Sequence, residues 1–281
     1  MAARAAVIVP CFNDGEFLPV ALASIEASEP IEVVIVDDGS TDPETQRVLE
    51  MLDSDGHAVI RHERNLGVAE ARNTGLGETR APYVFPLDAD DLVHPGALTM
   101  MAGQLDANPD AAVCYGDYEE VRRRTRLIRA VPDRIDPFRI AYTNEMPGTA
   151  LYRRTVLEQI DGWQAADPTQ QGYEDWNLWM TLAEREIQGV HLGAGIPVFQ
   201  YRIHSGRVNE SARRRHRQLY RSLRAAHPKL FGDLSEYRAR SDLSLARKLL
   251  YPVVYGGRPR FGTERPVKRL LDRAGIWTLR R

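Results

Sequence analysis

The chain has 281 residues, 43% hydrophobic and 27% charged, a balance that reads as one large soluble domain or one domain with appendages. Its apolar runs span a few residues, far short of the ~20 that cross a bilayer, and no charged-then-apolar leader opens it. Two cysteines, Cys11 and Cys114, exclude a disulfide framework and metal-ligand spacing, and point to a reducing cytoplasm.

In chain order, the apolar run Ala6–Val9 predicts a first core strand, with Cys11 buried beside its end. Phe17, Leu18, Ala21, Leu22 and Ile25 follow at helical spacing. Ile31–Val36 predicts a buried strand rich in β-branched residues, ending in Asp37-Asp38-Gly39-Ser40. Ser40 or Thr41 is placed to cap the next helix, with Pro43 and Glu44 in its first turn. A third strand is expected over 57–61, a helix over 67–79, a fourth strand over Tyr83–Leu87 and a helix from Pro95 to about Asn108. Repeated β-α units imply a mostly parallel, Rossmann-like sheet flanked by helices, with ligands at the carboxyl ends of its strands.

Beyond residue 110 the rhythm changes. Strands are expected over 111–115 and 125–131, a helix from about Glu174 to Glu186, and an alternating strand over 196–204 that ends at His204 on its polar face. Helical patterns follow over roughly 209–226 and 235–250. The net charge of −2 conceals an asymmetry here. Residues 1–201 hold 16 Lys+Arg against 33 Asp+Glu, whereas residues 202–281 hold 21 against 6. Either the basic part folds back on the acidic body or it meets an anionic surface. Residues 247–281, with ten Lys+Arg among Leu270, Leu271, Ile276 and Trp277, suit peripheral contact with anionic lipid.

The most informative stretch is Tyr83-Val84-Phe85-Pro86-Leu87-Asp88-Ala89-Asp90-Asp91, where a buried-strand pattern ends in three carboxylates. Like charges that close repel, and a hard divalent cation with oxygen ligands is the economical way to offset them. A solvated acidic loop is the plainer reading of such a cluster taken alone.

Five stretches in register shift that choice toward a cation site. Val7-Ile8-Val9-Pro10-Cys11-Phe12-Asn13, Val34-Ile35-Val36-Asp37-Asp38-Gly39-Ser40-Thr41-Asp42, Asn65-Leu66-Gly67-Val68-Ala69-Glu70-Ala71-Arg72-Asn73-Thr74-Gly75, Asp88-Ala89-Asp90-Asp91 and Tyr173-Glu174-Asp175 occur in that order. Over roughly residues 5–205 the chain resembles the family 2 glycosyltransferases of the GT-A fold. The resemblance implies an α/β protein with a nucleotide-sugar-binding half over 1–110 and an acceptor and catalytic half over 111–205; the helical patterns and basic charge beyond it read as a C-terminal extension over 206–281. The resemblance also implies transfer of a sugar from a nucleotide diphosphate, with inversion at the anomeric carbon and with Mn²⁺ or Mg²⁺ as cofactor.

Residue by residue, it places Pro10, Phe12, Asp38, Arg72, Asp88 and Ala89 on the donor. Phe12 can stack on the base or fill the core, and Asp38 can accept from a uracil imide N–H or serve a turn. Asp88 would contact the ribose or a metal-bound water. Arg72 can reach a phosphate or hold a surface salt bridge. Asp90 would bind the metal, His204 would complete its coordination or be structural, and Asp91 is free to face outward. Asp175, at a helix N-terminus that favours its ionised form, is the expected base, with Glu174 on acceptor hydroxyls. Thr181 stands where the family commonly carries a basic residue.

The implied partners are a nucleotide-sugar donor, a UDP-sugar first, and a saccharide, lipid-linked or other hydroxyl acceptor, with no nucleic acid. The expected location is cytoplasmic, either free or peripheral at the inner face of the membrane. Trp163, Trp176 and Trp179 offer a sugar platform or, for at least two of them, core packing. A nucleotidyltransferase or a dinucleotide-dependent oxidoreductase would need a glycine-rich loop after the first strand, where Pro10–Gly15 has one glycine. A catalytically silent sugar-nucleotide-binding or scaffold protein would not require a base.

Overall fold

The structure is a computed structural model that describes residues 2–26, 28–123, 125–167, 172–204 and 214–255. It divides into two compact units. Met1–Arg134, Pro147–Gln164 and Gln188–Ser205 form the first; Ile135–Met146, Ala165–Ile187 and Gly206–Arg281 form the second.

The first unit is built on a seven-stranded sheet. Its strands are β1 (Ala5–Cys11), β2 (Ile31–Asp37), β3 (Ala58–Arg61), β4 (Tyr83–Pro86), β6 (Val113–Tyr115), β9 (Leu151–Arg153) and β10 (Gly189–His191), in the order β10-β6-β9-β4-β1-β2-β3. β1 pairs in parallel with β2 and β4, and β2 with β3. Every residue of β1 and β4 is buried, as expected of central parallel strands covered on both faces. The helices that cover them are α1 (Leu18–Ala23), α2 (Pro43–Ser54), α3 (Val68–Glu78), α4 (Ala97–Ala107) and α6 (Arg154–Gln159). α3 lies close against β1: a Cβ added at Gly75 would come within 2.4 Å of Ile8 Cγ2.

Sequence patterning found these βα units and missed the short insertions. Three-residue β9 runs antiparallel between β4 and β6, too short to show any periodicity. Asp117–Arg122 forms β7, which pairs antiparallel with β8 (Thr125–Arg129). β7 pairs in parallel with β11 (Pro197–Arg202), which also meets β5 (Leu92–Val93), giving a second sheet of order β5-β11-β7-β8. The cap of α2 is Asp42, not Ser40 or Thr41. Its backbone is extended and its carboxylate accepts from Thr45 N at 2.8 Å, while Ser40 is engaged elsewhere.

The second unit is helical: α5 (Pro137–Ile140), α7 (Glu174–Glu184), α8 (His216–Ala226), α9 (Pro228–Gly232), α10 (Leu234–Arg240) and α11 (Leu245–Tyr255). The single helix expected over 235–250 is two. They part at Ser241, whose extended backbone and Oγ–H···Oδ2 bond to Asp136 (2.6 Å) fix the break. Trp176 and Trp179 are buried here, and Trp163 is buried in the first unit, so all three pack in cores and line no platform. His227 ties α7 to α9 through Asn177 Oδ1 (2.8 Å) and Glu184 Oε2 (3.0 Å). The start of the helix expected from 209, and the basic stretch 256–281, lie outside the described residues. Among the described residues no helix is long and apolar enough to cross a membrane.

Candidate active site

Three strands of the first unit deliver their carboxyl ends to one edge. At the end of β1, Pro10 and Cys11 are buried and Phe12 is 41% exposed, so Phe12 is not a core aromatic. Burial pushes the Cys11 thiol up to about 12, which leaves it neutral and no nucleophile. Asn13 sits in the left-handed region (φ 58) and its Oδ1 accepts from Thr41 N (2.8 Å) and Asp42 N (2.9 Å). Its own N–H donates to Ser40 Oγ at 3.0 Å, so the β1 and β2 loops are laced together. Sequence reading includes Asn13 in the first motif without giving it a role; an Asn directly after a strand end is the signal that offered it.

Both acids at the end of β2 are buried and occupied. Asp37 accepts from Ser40 N at 2.9 Å. Asp38 accepts from Leu66 N (2.8 Å), Gly67 N (2.7 Å) and His62 Nδ1 (2.8 Å), and His62 Nε2 meets Thr74 Oγ1 at 3.0 Å. Three of the roughly four lone-pair positions of that carboxylate are therefore used within the protein. The turn serves Asp38 as a clamp on the 66–67 loop, and recognition of a base by it would use the fourth. Gly39 (φ 72) packs so tightly that an added Cβ would lie 2.5 Å from Arg64 C. His62 was not singled out from sequence.

The third loop carries the acids. Asp88, Asp90 and Asp91 each present a ligand atom within 4.8 Å of the others. Asp91 turns inward, not outward: it is buried, and its Oδ1 accepts from Arg202 N at 3.0 Å. Ala89 is buried between its neighbours, while Asp88 and Asp90 are half-buried. Arg72 is buried and donates to Asp88 Oδ1 at 2.6 Å, an ion pair within the site and not on the surface. His204, two residues past β11, donates from Nε2 to Asp90 Oδ2 at 2.8 Å and packs its ring 4.7 Å from that of Phe17. Arg202 holds the other side of the loop through Asp90 O and lies 5.2 Å over the Phe17 ring. The set of three carboxylates beside one imidazole suits a hard to borderline divalent cation. Such a cation would take the place of the His204–Asp90 hydrogen bond.

In the second unit, Tyr173 adopts φ 68 just before α7 and delivers Glu174 and Asp175 to the first turn of that helix. Asp175 Oδ1 accepts from Trp176 N at 2.8 Å and Oδ2 from Asn144 Nδ2 at 2.9 Å. Met146 N donates to Asn144 Oδ1 at 3.1 Å, which fixes which end of that amide faces Asp175. Asn144 is thirty-one residues away in sequence and carried no local signal. The predicted residues thus fall into two groups. Pro10, Phe12, Asp38, Arg72, Asp88, Ala89, Asp90 and His204 belong to the first unit, and Glu174 and Asp175 to the second.

The family model described as Glycosyl transferase family 2 matches residues 6–161, more than half of the chain. The chain belongs to glycosyl transferase family 2. It is 30% identical over 118 residues to the uncharacterized glycosyltransferase YibD of Escherichia coli K12, covering 41% of this chain and 34% of that protein. It is 37% identical over 139 residues to the succinoglycan biosynthesis protein ExoU of Rhizobium meliloti, covering 44% and 40%. The match thus spans well under half the length of these curated relatives. Among solved structures, residues 1–349 of S. aureus TarS in complex with UDP-GlcNAc align with a TM-score of 0.64 at 20% identity, over 99% of this chain and 78% of that one. The mannosyltransferase PcManGT of Pyrobaculum calidifontis, in complex with GDP-Man and Mn²⁺, aligns with a TM-score of 0.55 at 19% identity, over 97% and 85%. The fold of this family 2 chain is accordingly of the GT-A type.

Proposed function

We propose that this chain is an inverting glycosyltransferase that moves a sugar from a nucleotide diphosphate donor, a UDP-sugar first, to an acceptor hydroxyl. The observation that carries the reading is the carboxyl-edge cluster of the first unit: Asp88, Asp90 and Asp91 within 4.8 Å, with His204 on Asp90 and Arg72 on Asp88. A diphosphate is the ligand that such a mixed set of acids and cations suits, because its charge can be met by a cation on one side and a guanidinium on the other. The complexes of TarS with UDP-GlcNAc and of PcManGT with GDP-Man and Mn²⁺ support the same ligand class.

In this reading Asp90 and His204 hold Mn²⁺ or Mg²⁺, which when bound supplies Lewis-acid stabilisation to the departing nucleotide diphosphate. Asp88 orients the donor ribose or a water of that cation, and Arg72 holds the Asp88 carboxylate in place. Phe12, exposed at the end of β1, stacks on the base while Pro10 sets its direction and Asp38 keeps the neighbouring loop closed. Ala89 leaves room beside the two acids for the phosphates. Asp175 takes the proton of the attacking hydroxyl, with its carboxylate held by Asn144 and by the first turn of α7. Glu174 contacts the hydroxyls of the acceptor, a saccharide or lipid-linked saccharide. One base and one displacement give inversion.

A screen of nucleotide sugars by thermal shift, with and without Mn²⁺, tests the reading. A UDP-sugar that raises the midpoint only with the cation, and not in Asp90→Ala, is the expected result. Stabilisation by no nucleotide sugar, or equal stabilisation of parent and Asp90→Ala, would overturn it.

A further inference from the structure

The inner face of α11 is anchored and its outer face is apolar. Buried Tyr251 sets its ring 5.9 Å from Phe138 and 6.2 Å from Tyr142. Opposite it, Leu245, Leu249 and Val253 are 74%, 55% and 75% exposed, the highest values of any large hydrophobic side chain among the described residues. They recur at i, i+4 and i+8, so at about 100° per residue they share an arc of roughly 80°, with Tyr251 on the far side. Single exposed leucines are ordinary; three in line on one helix mark a contact surface.

The surroundings of this ridge say what it contacts. Residues 214–255 carry ten Lys+Arg, eight of them arginine, against Asp233, Glu236 and Asp242. Arg214, Arg217, Arg221 and Arg224 recur at helical spacing and are exposed, while Leu219, Tyr220 and Leu223 on the other side of α8 are buried. Both helices sit on the same short element. Tyr220 donates from its hydroxyl to Ala141 O at 2.8 Å, just past α5, and Tyr251 packs on Phe138 and Tyr142. An apolar ridge alone would fit a protein groove equally well. Arginines in such excess beside it favour a surface of phosphate groups over an acyl phase.

We propose that α11 docks on an anionic membrane surface, with Leu245, Leu249 and Val253 entering the headgroup boundary and the arginines of α8 meeting lipid phosphates. The contact lies upstream of most of the stretch that composition suggested, of which 256–281 falls outside the described residues. It is independent of the sugar-transfer reading, and its test needs no substrate.

The experiment is sedimentation of the full chain with vesicles of phosphatidylcholine alone and of phosphatidylcholine mixed with phosphatidylglycerol, at low and high salt. Two variants accompany it: Leu249→Glu with Val253→Glu, and Arg217→Glu with Arg221→Glu. The parent should partition into the anionic vesicles, less so at high salt, and not into the neutral ones. Each pair variant should partition at least ~10-fold more weakly, the arginine pair through two lost cations at about 1 kcal/mol each near the surface, and the Leu249/Val253 pair through two apolar side chains that no longer enter the headgroup boundary. Thermal midpoints should stay at the parent value, because the substituted side chains are exposed. Equal partition into both vesicle types, or into neither, would overturn the proposal, as would parent-level binding by the Leu249/Val253 variant. A parent dimer that this variant dissociates would assign the ridge to a second copy. A fall in its midpoint without lipid would assign the ridge to the chain's own packing.

Discussion

Exchanging Asp175 for Asn removes the charge of the proposed base and keeps its shape, and the neighbouring hydrogen bonds set the cost. Two of the carboxylate's partners are donors: Trp176 N at 2.8 Å and Asn144 Nδ2 at 2.9 Å. An amide brings one acceptor and one donor, so whichever way Asn is turned, an N–H faces an N–H. Asn144 cannot relieve this by turning over, because its Oδ1 accepts from Met146 N. The site is half-buried and water takes up part of the mismatch, so Asp175→Asn should cost about 1–2 kcal/mol of stability. The effect on rate should be larger. Loss of a positioned acid–base group lowers rates by roughly 10²–10⁴, or about 3–5 kcal/mol of barrier. Urea midpoints give the first quantity and single-turnover nucleotide release the second. Donor binding by thermal shift should match the parent. A variant that releases nucleotide at the parent rate would refute the assignment of the base and move the test to Glu174.

Asn144→Ala leaves the charge and removes one donor to it, so nucleotide release should slow by roughly 5–30-fold, short of Asp175→Asn, with an unchanged KM for donor. Parent kinetics in this variant would show that the Asn144 contact does not position Asp175. Gly39→Ala combines a left-handed φ of 72 with a Cβ 2.5 Å from Arg64 C, and should lower stability by about 2–4 kcal/mol in denaturant titration. A loss under ~1 kcal/mol would mean that the 64–65 backbone gives way freely. Burial holds the pKa of His216 below its ordinary 6.5, so the unfolded chain takes up a proton that the folded one declines. Stability should therefore fall as pH drops through about 6.5, and His216→Phe should flatten that slope in midpoints measured between about pH 5 and 7.5. Equal slopes in parent and variant would contradict this.

The strands and acid-tipped loops of the first unit were legible because buried parallel strands read as unbroken apolar runs. Ile31–Asp37 ends on the first acid of its loop, and Tyr83–Pro86 ends two residues before Asp88. The motif at 88–91 pointed to Asp90, and the end of an alternating strand together with the family resemblance pointed to His204; their contact spans 114 residues. What was not legible depends on geometry that only the fold creates. β9 has three residues and no period to detect. Asp42 displaced Ser40 as the cap of α2 because Ser40 was already taken by Asn13 N. His62, Arg202 and Asn144 act through partners distant in sequence, Asp38, Asp91 and Asp175. For Asp38 the sequence offers both a base contact and a turn role, and it does not show that three donors from the 62–67 loop converge on this carboxylate. The apolar ridge of α11 was hidden for a different reason: Leu245, Leu249 and Val253 have the spacing of a core stripe, and only their exposure shows that they face outward.

The proposed reaction is metal-assisted, inverting transfer from a nucleotide sugar. Its most direct test is proton NMR of the protein with the donor selected by thermal shift, water serving as acceptor and spectra taken before mutarotation. Nucleotide diphosphate should appear only with Mn²⁺ or Mg²⁺ present, and the released sugar should first show the anomeric coupling opposite to that of the donor. Release at the full rate in excess chelator would rule out metal assistance, and a first-formed sugar of unchanged anomeric configuration would rule out inversion.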